Sequence, residues 1–201
     1  MARWEPDARG RLTEAALQLY LDRGFDATTV ADIAARAGVT ERTFFRHFAD
    51  KREVLFDGAH ELEHLVTEAI AQAPASASAI DVVGEAMVHA GAALQPRREF
   101  AVRRAAAISA NAGLMERELL ELAMLARATA DALRRRGVPD PAAALAAEAG
   151  VAVFKVGFEE WIGEDDPGDL PARIADARRQ LAAVVAPRRA SQALRTISST
   201  V

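Results

Sequence analysis

Apolar residues recur three and four apart along most of the chain, and no segment shows a period-two alternation of β-branched residues. That pattern predicts an all-α protein. A first helix runs from about Asp7 to Arg23, with Leu12, Ala16, Leu19 and Tyr20 on one face, and Gly24 ends it. Thr29 opens a short helix, because Thr29 and Asp32 have capping-box spacing with Asp in place of the usual Glu. Val30, Ile33, Ala34 and Ala37 form its apolar stripe. After Gly38-Val39, Thr40 caps a third short helix that turns Phe44 and Phe48 inward. Asp50 and Glu53 repeat the capping-box spacing and predict one longer helix reaching about Gln72.

Ala73-Pro74-Ala75-Ser76-Ala77-Ser78 reads as a linker of small residues. Helical stretches follow at about 79–94, 97–111, 114–136, 140–163 and 169–185, about nine helices in all. Breaks are expected at Pro96, Gly113, Gly137-Val138-Pro139 and Asp165-Asp166-Pro167-Gly168. The pattern divides the chain into an N-terminal unit over 1–52, a larger helical body over 53–186, and a tail over 187–201 expected to be flexible.

Composition narrows the class. Of 201 residues, 51% are apolar and 27% charged, ordinary for a folded domain with a sizeable core. Cysteine is absent, which removes disulfides, thiolate metal sites and Cys nucleophiles. The start lacks the apolar core of a signal peptide, and no stretch approaches the ~18 apolar residues of a membrane span. A cytoplasmic protein without membrane association is therefore expected. Net charge is −4, so any basic surface must be local. Residues 36–52 provide one: Arg36, Arg42, Arg46, Lys51 and Arg52 stand against Glu41 and Asp50. Five of the eight Phe (25, 44, 45, 48 and 56) cluster in the same region.

Two short capped helices joined by a glycine turn, behind a supporting first helix, form a helix-turn-helix pattern. Ala34 and Ala37 allow close packing, and Gly38 supplies the positive φ of the turn. The second helix is short enough to offer its outer face, Glu41, Arg42, Thr43 and Arg46, to a major groove ~12 Å wide. A basic face of this size is usually just solvated, and helix pairs with a glycine turn also occur in proteins that bind no DNA. The conjunction of caps, turn and exposed cations is what favours DNA.

The run Thr28-Thr29-Val30-Ala31-Asp32-Ile33-Ala34-Ala35-Arg36-Ala37-Gly38-Val39-Thr40, continued by Thr43-Phe44-Phe45-Arg46-His47-Phe48-Ala49-Asp50-Lys51, resembles the tetracycline-repressor (TetR) family of transcriptional regulators. The likeness covers about 50 residues; the body resembles the family only in length and helical character. It implies phosphate contacts from Thr29, His47 and Lys51, and base or backbone contacts from Thr40, Glu41, Arg42, Thr43 and Arg46. Phe45 departs from the family's usual Tyr, whose phenol donates to a phosphate; its ring is left to pack on sugar or a thymine methyl.

For the whole protein the resemblance implies a ligand-responsive regulator, in the main a repressor, without enzymatic activity or cofactor. It implies a homodimer on a near-palindromic double-stranded DNA operator, paired through the last two long helices. Ala142, Ala146, Ala149, Val153 and Ala183 are small enough for close helix pairing there, or for packing inside one subunit. It also implies a small-molecule pocket among the middle helices, with His64, Met87, Phe100, Met115, Phe154, Phe158 and Trp161 as candidate lining residues. Such a lining suits a largely apolar effector with few polar anchors, although each residue also fits plain core.

One motif competes. His60-Glu61-Leu62-Glu63-His64 matches H-E-x-x-H, whose two His share a helix face and ligate zinc while the Glu acts as general base. Glu85 is a candidate third ligand for a small zinc hydrolase. A ligand- or metal-sensing role for His60, His64 and His89 is the intermediate reading, and two exposed His on an acidic helix the plain one. A helical dimer that binds a protein partner is the remaining alternative.

Overall fold

The computed structural model describes residues 7–163 and 168–186. The expected tail over 187–201, and most of the expected break at 165–168, lie outside the described residues. Among the described residues the chain forms nine α-helices and no strand. They are α1 (Ala8–Arg23), α2 (Val30–Arg36), α3 (Glu41–His47), α4 (Ala59–Gln72), α5 (Ala79–Leu94), α6 (Arg98–Ser109), α7 (Ala112–Arg135), α8 (Ala142–Gly163) and α9 (Leu170–Val185). Short 3-10 turns occupy Glu53–Phe56 and Gln95–Arg97.

Side-chain caps set most helix starts, each satisfying an amide that the helix itself leaves free. Asp7 accepts from Gly10 N, Ser78 from Asp81 N, Asn111 from Leu114 N and Asp169 from Ala172 N. Asn111 moves one expected boundary: the break falls at 110–111, and Gly113 lies inside the first turn of α7. The far end of α4 is closed from a distance. Arg136 donates to the carbonyls of Ile70, Ala73 and Pro74 at 2.8–2.9 Å.

The single long helix expected from Glu53 to Gln72 is corrected to a 3-10 turn followed by α4. In a continuous helix the Leu55 carbonyl would accept from Ala59. Here it accepts from Arg104 Nε at 2.7 Å, and the chain bends at Asp57-Gly58.

Two cores result. One gathers Leu12, Leu17, Ile33, Phe44 and Phe48 with Val54, Leu55 and Phe56, and takes in Ala107, Ile108 and Leu114 from α6 and α7. The other lies among α4, α5, α7, α8 and α9 around Met87, Leu133, Trp161 and Ile174. At Gly157 of α8 the backbones of α8 and α9 nearly touch, since a Cβ there would lie 2.8 Å from Ile174 N. Ala146 and Val153 are turned into this core, whereas Ala142 and Ala183 are exposed and Ala149 is half-buried.

Candidate nucleic-acid interface

Helices α2 and α3 are built around their caps. Thr29 Oγ1 accepts from Asp32 N at 3.1 Å, and Asp32 Oδ2 accepts from Thr29 N at 3.0 Å, completing the expected capping box. Asp32 also receives the Thr29 hydroxyl and Arg23, both at 2.5 Å. The Thr29 hydrogen bonds, with Arg23 behind them, hold the Asp32 carboxyl below its ordinary range. Gly38 takes φ +68° between the helices, the left-handed value the turn requires. Thr40 then caps α3 by accepting from Thr43 N at 3.2 Å.

The two sides of α3 have different tasks. Phe44 is fully buried and packs on Phe48 at 5.7 Å between ring centroids, which fixes the helix against α1 and α2. The opposite side carries Glu41, Arg42 and Arg46, all exposed, with Thr43 half-buried beside them. Arg42 and Arg46 enter no ion pair among the described residues, so their donors stay available to an incoming partner. By contrast Arg36 lies 3.5 Å from Asp22, and Arg52 lies 3.1 Å from Asp50. The usable basic surface is therefore narrower than the residue count over 36–52 suggests. Phe45 stands on the same outer side, 56% exposed, with its ring edge to face against Phe44.

The flanking residues are more occupied than the sequence indicates. Lys51 Nζ donates to the carbonyls of Phe25 and Thr28, both at 2.8 Å, and sits 4.2 Å from the centre of the Phe25 ring. Its backbone carbonyl accepts from the Tyr20 hydroxyl at 2.5 Å. Burial, with the Asp50 charge nearby, raises the Tyr20 phenol well above its ordinary value. Lys51 thus fastens the loop between α1 and α2, and one ammonium proton stays outside these two hydrogen bonds. His47 is half-buried, and its Nε2 is enclosed without a hydrogen-bond partner. A phosphate contact through that nitrogen requires the ring to turn.

The helix-turn-helix unit is joined to the body by a clamp that local sequence patterns do not reveal. The Phe56 ring lies between Arg104 of α6, at 4.9 Å, and Arg117 of α7, at 5.0 Å. Arg104 also meets both oxygens of Glu118, at 3.2 and 2.6 Å, and Arg117 meets both oxygens of Glu53, at 3.0 and 3.1 Å. Each arginine is thus fixed in a planar, two-point pairing while covering one face of the ring.

The seven residues expected to line an effector pocket do not meet in one cavity. Phe154, Phe158 and Trp161 form a ladder along α8, with ring centres 6.0 and 5.8 Å apart, and Met87 lies in the same core. Phe100 packs against the other core, Met115 is at the surface, and His64 is exposed on α4 beside Glu68. An open cleft of about 730 Å³ separates Phe25, Asp26 and 50–52 from 110–113; another of about 820 Å³ runs between α4 and α5. Neither is lined by any of the seven. Two polar groups missed or undervalued in the sequence are the Thr129 hydroxyl and the Trp161 indole N–H, both buried without a partner.

The zinc-hydrolase alternative loses its ligand set. His60 and His64 face solvent on α4, and Glu85 on α5 pairs with Arg178 at 3.0 Å. Among the described residues no three His, Cys, Asp or Glu side chains are grouped to hold a metal ion. No helix among them is long and apolar enough to cross a membrane.

Fold and surface thus define an all-α protein with an N-terminal helix-turn-helix unit on a larger helical body. Residues 12–57 match the family described as bacterial regulatory proteins, tetR family. The transcriptional regulator TcmR of Streptomyces glaucescens is 36% identical over 78 residues, 39% of this chain and 34% of that protein. TtgR of Pseudomonas putida is 38% identical over 82 residues, 39% of this chain and 37% of that protein. These alignments span little more than a third of either curated relative. The fold extends further: FadR from Bacillus subtilis, solved with stearoyl-CoA, superposes with a TM-score of 0.62 at 17% identity, over 88% of this chain and 99% of that one. The likeness to that family is carried by residues 12–57, and the body is similar to the solved regulator in fold alone.

Proposed function

We propose that this protein is a sequence-specific transcriptional repressor that leaves a near-palindromic operator when a small molecule binds its body. The observation that carries the reading is the division of α3 into a locked inner side, Phe44, and an outer side where Arg42 and Arg46 are unpaired. Arginine in that setting reads guanine by two parallel hydrogen bonds, while flanking amides, hydroxyls and Lys51 hold phosphates. One such unit makes too few contacts for specific binding, so a twofold dimer completes it. The outer stripe of α8, Leu145, Ala149, Ala152 and Val156, supports pairing through α8 and α9, because Leu145 is 67% exposed and smaller residues follow it.

The body supports an effector of mainly apolar character. Phe154, Phe158 and Trp161 supply aromatic surface, and the Trp161 N–H and Thr129 hydroxyl are buried groups that a ligand's acceptors would satisfy. The Gln95–Arg97 turn, α6 and the Phe56 clamp connect this region to the DNA-facing unit. A coupling of ~1–3 kcal/mol between the two sites changes operator affinity about 5–150-fold. No catalytic step is assigned, and the cytoplasm, where DNA and metabolites meet, is the proposed compartment.

Selection of bound fragments from the source genome with purified protein, at physiological salt and with polyanion competitor, tests the reading. A recurring near-palindrome supports a sequence-reading dimer. Binding that is blind to sequence and lost to competitor overturns it.

A further inference from the structure

The outer side of α7 carries a run of exposed apolar residues. Leu119 is 62% and Leu120 54% exposed, and Met115, Ala123 and Met124 are exposed with them. Helical spacing places 116, 119, 120, 123, 124 and 127 on one side of the helix. Single exposed apolar residues need no explanation, but four on one helical side, Leu119, Leu120, Ala123 and Met124, mark a surface that is covered in use.

The order of residues on that side identifies what covers it. About a point midway between Glu121 and Leu122 the pattern is symmetric: Leu120 mirrors Ala123, Leu119 mirrors Met124, and Glu116 mirrors Arg127. Antiparallel twofold packing of two such helices brings each residue opposite its mirror position, as an isologous interface demands. Apolar residues then meet in the middle, and Glu116 of one chain meets Arg127 of the other at both ends. Neither Glu116 nor Arg127 enters an ion pair among the described residues, whereas the neighbouring Arg117, Glu118 and Glu121 are paired within the subunit. Those internal pairs hold α7 in place and leave the outer side free.

We infer that α7 docks antiparallel onto α7 of a second copy of this chain. A contact of one helix per subunit falls at the low end of specific interfaces, so the association is weak and concentration-dependent. It is separate from the α8–α9 pairing proposed above. Two different twofold contacts on one chain assemble dimers into tetramers when their axes close. Such a tetramer would carry two pairs of DNA-facing units, each fastened to an α7 helix through Arg117 and Glu53.

Sedimentation velocity on the full chain, over low to high micromolar concentration, tests the contact. The wild-type mass is expected to rise toward twice its starting value, and Leu120→Glu to abolish the rise with the thermal melt unchanged. Glu116→Arg and Arg127→Glu alone are expected to weaken association about tenfold, which is ~1.4 kcal/mol. The two together, with the pair reversed, are expected to restore it. A fall from dimer to monomer on Leu120→Glu also supports the α7 contact, and at the same time overturns the α8–α9 pairing, which Leu145→Glu examines separately. A wild-type mass that stays constant and is indifferent to Leu120→Glu overturns the inference, as does a double swap that fails to restore what the single changes remove.

Discussion

Arg117 and Glu53 meet at two points, 3.0 and 3.1 Å, across 64 residues of sequence, and so tie α7 to the turn leaving the helix-turn-helix unit. Glu53 heads that pairing, and Glu121 adds a second carboxylate to it; together they outweigh burial and raise the Arg117 guanidinium above its ordinary value. The same guanidinium lies over the Phe56 ring, so one side chain makes both the ion pair and the aromatic contact.

Arg117→Ala removes the ring contact together with the ion pair. An unfolding free energy lower by about 2 kcal/mol is expected, from the sum of a charge-assisted pairing and a cation–π contact. Arg117→Lys should recover less than half of that, since an ammonium lacks the planar fork. Denaturant unfolding followed by circular dichroism measures both, and equal stability of wild type and Arg117→Ala would remove the clamp from the account.

Lys51 is a strut as well as a candidate phosphate ligand. Lys51→Met deprives the carbonyls of Phe25 and Thr28 of their donor, which costs about 1–2 kcal/mol of stability. If Lys51 also meets a phosphate, the same change weakens all DNA sequences alike and lowers the salt slope by about one per subunit. Affinity measured against salt concentration separates the two roles: reduced stability with an unchanged slope leaves Lys51 as a strut alone.

What the sequence made legible was local. The caps at Thr29 and Thr40, the turn at Gly38 and the inward Phe44 and Phe48 all depend on residues within a few positions of one another, and each is found as expected. The break before α4 was not legible, because the group that takes the Leu55 carbonyl, Arg104, is 49 residues away. The same distance problem hides the Phe56 clamp and the carbonyl partners of Lys51. The pocket candidates share residue type alone, His64 standing beside Met, Phe and Trp side chains. Periodicity does not say which side of a helix meets which neighbour, and Met115 accordingly lies at the surface while Met87 lies in the core.

Acid should loosen the helix-turn-helix unit in part through Asp50. Burial pushes this carboxyl up, but hydrogen bonds from the Arg52 side chain and from the amides of Arg52 and Glu53 outweigh it and hold it below its ordinary range. A carboxyl lowered on folding contributes stability that is complete above its unfolded value of about 3.9, and that is lost as pH falls through the lower folded value. Asp50→Asn is therefore expected to cost stability at neutral pH and to flatten the decline below pH ~4. Melting curves of the two proteins across that range, run in parallel, measure it. Parallel declines would mean that Asp50 titrates alike in the folded and unfolded chains.

The outer side of α3 gives the sharpest test of the proposed reading of DNA. Arg42 is exposed and supports nothing in the fold, so Arg42→Ala should leave the melt unchanged. A lost two-point contact to a base costs about 1–3 kcal/mol of binding and relaxes preference at that base pair, whereas a lost phosphate contact weakens every sequence equally. Phe45, one helical turn further on, has an exposed ring with no polar atom to offer. Phe45→Tyr adds a hydroxyl at its tip, and a new hydrogen bond to phosphate should tighten binding by about 0.5–1.5 kcal/mol. Weaker binding by the tyrosine variant would instead place the ring against an apolar part of the DNA, such as a thymine methyl. Measuring both variants by fluorescence anisotropy on the selected operator and on a one-base mismatch set separates base reading at Arg42 from surface packing at Phe45.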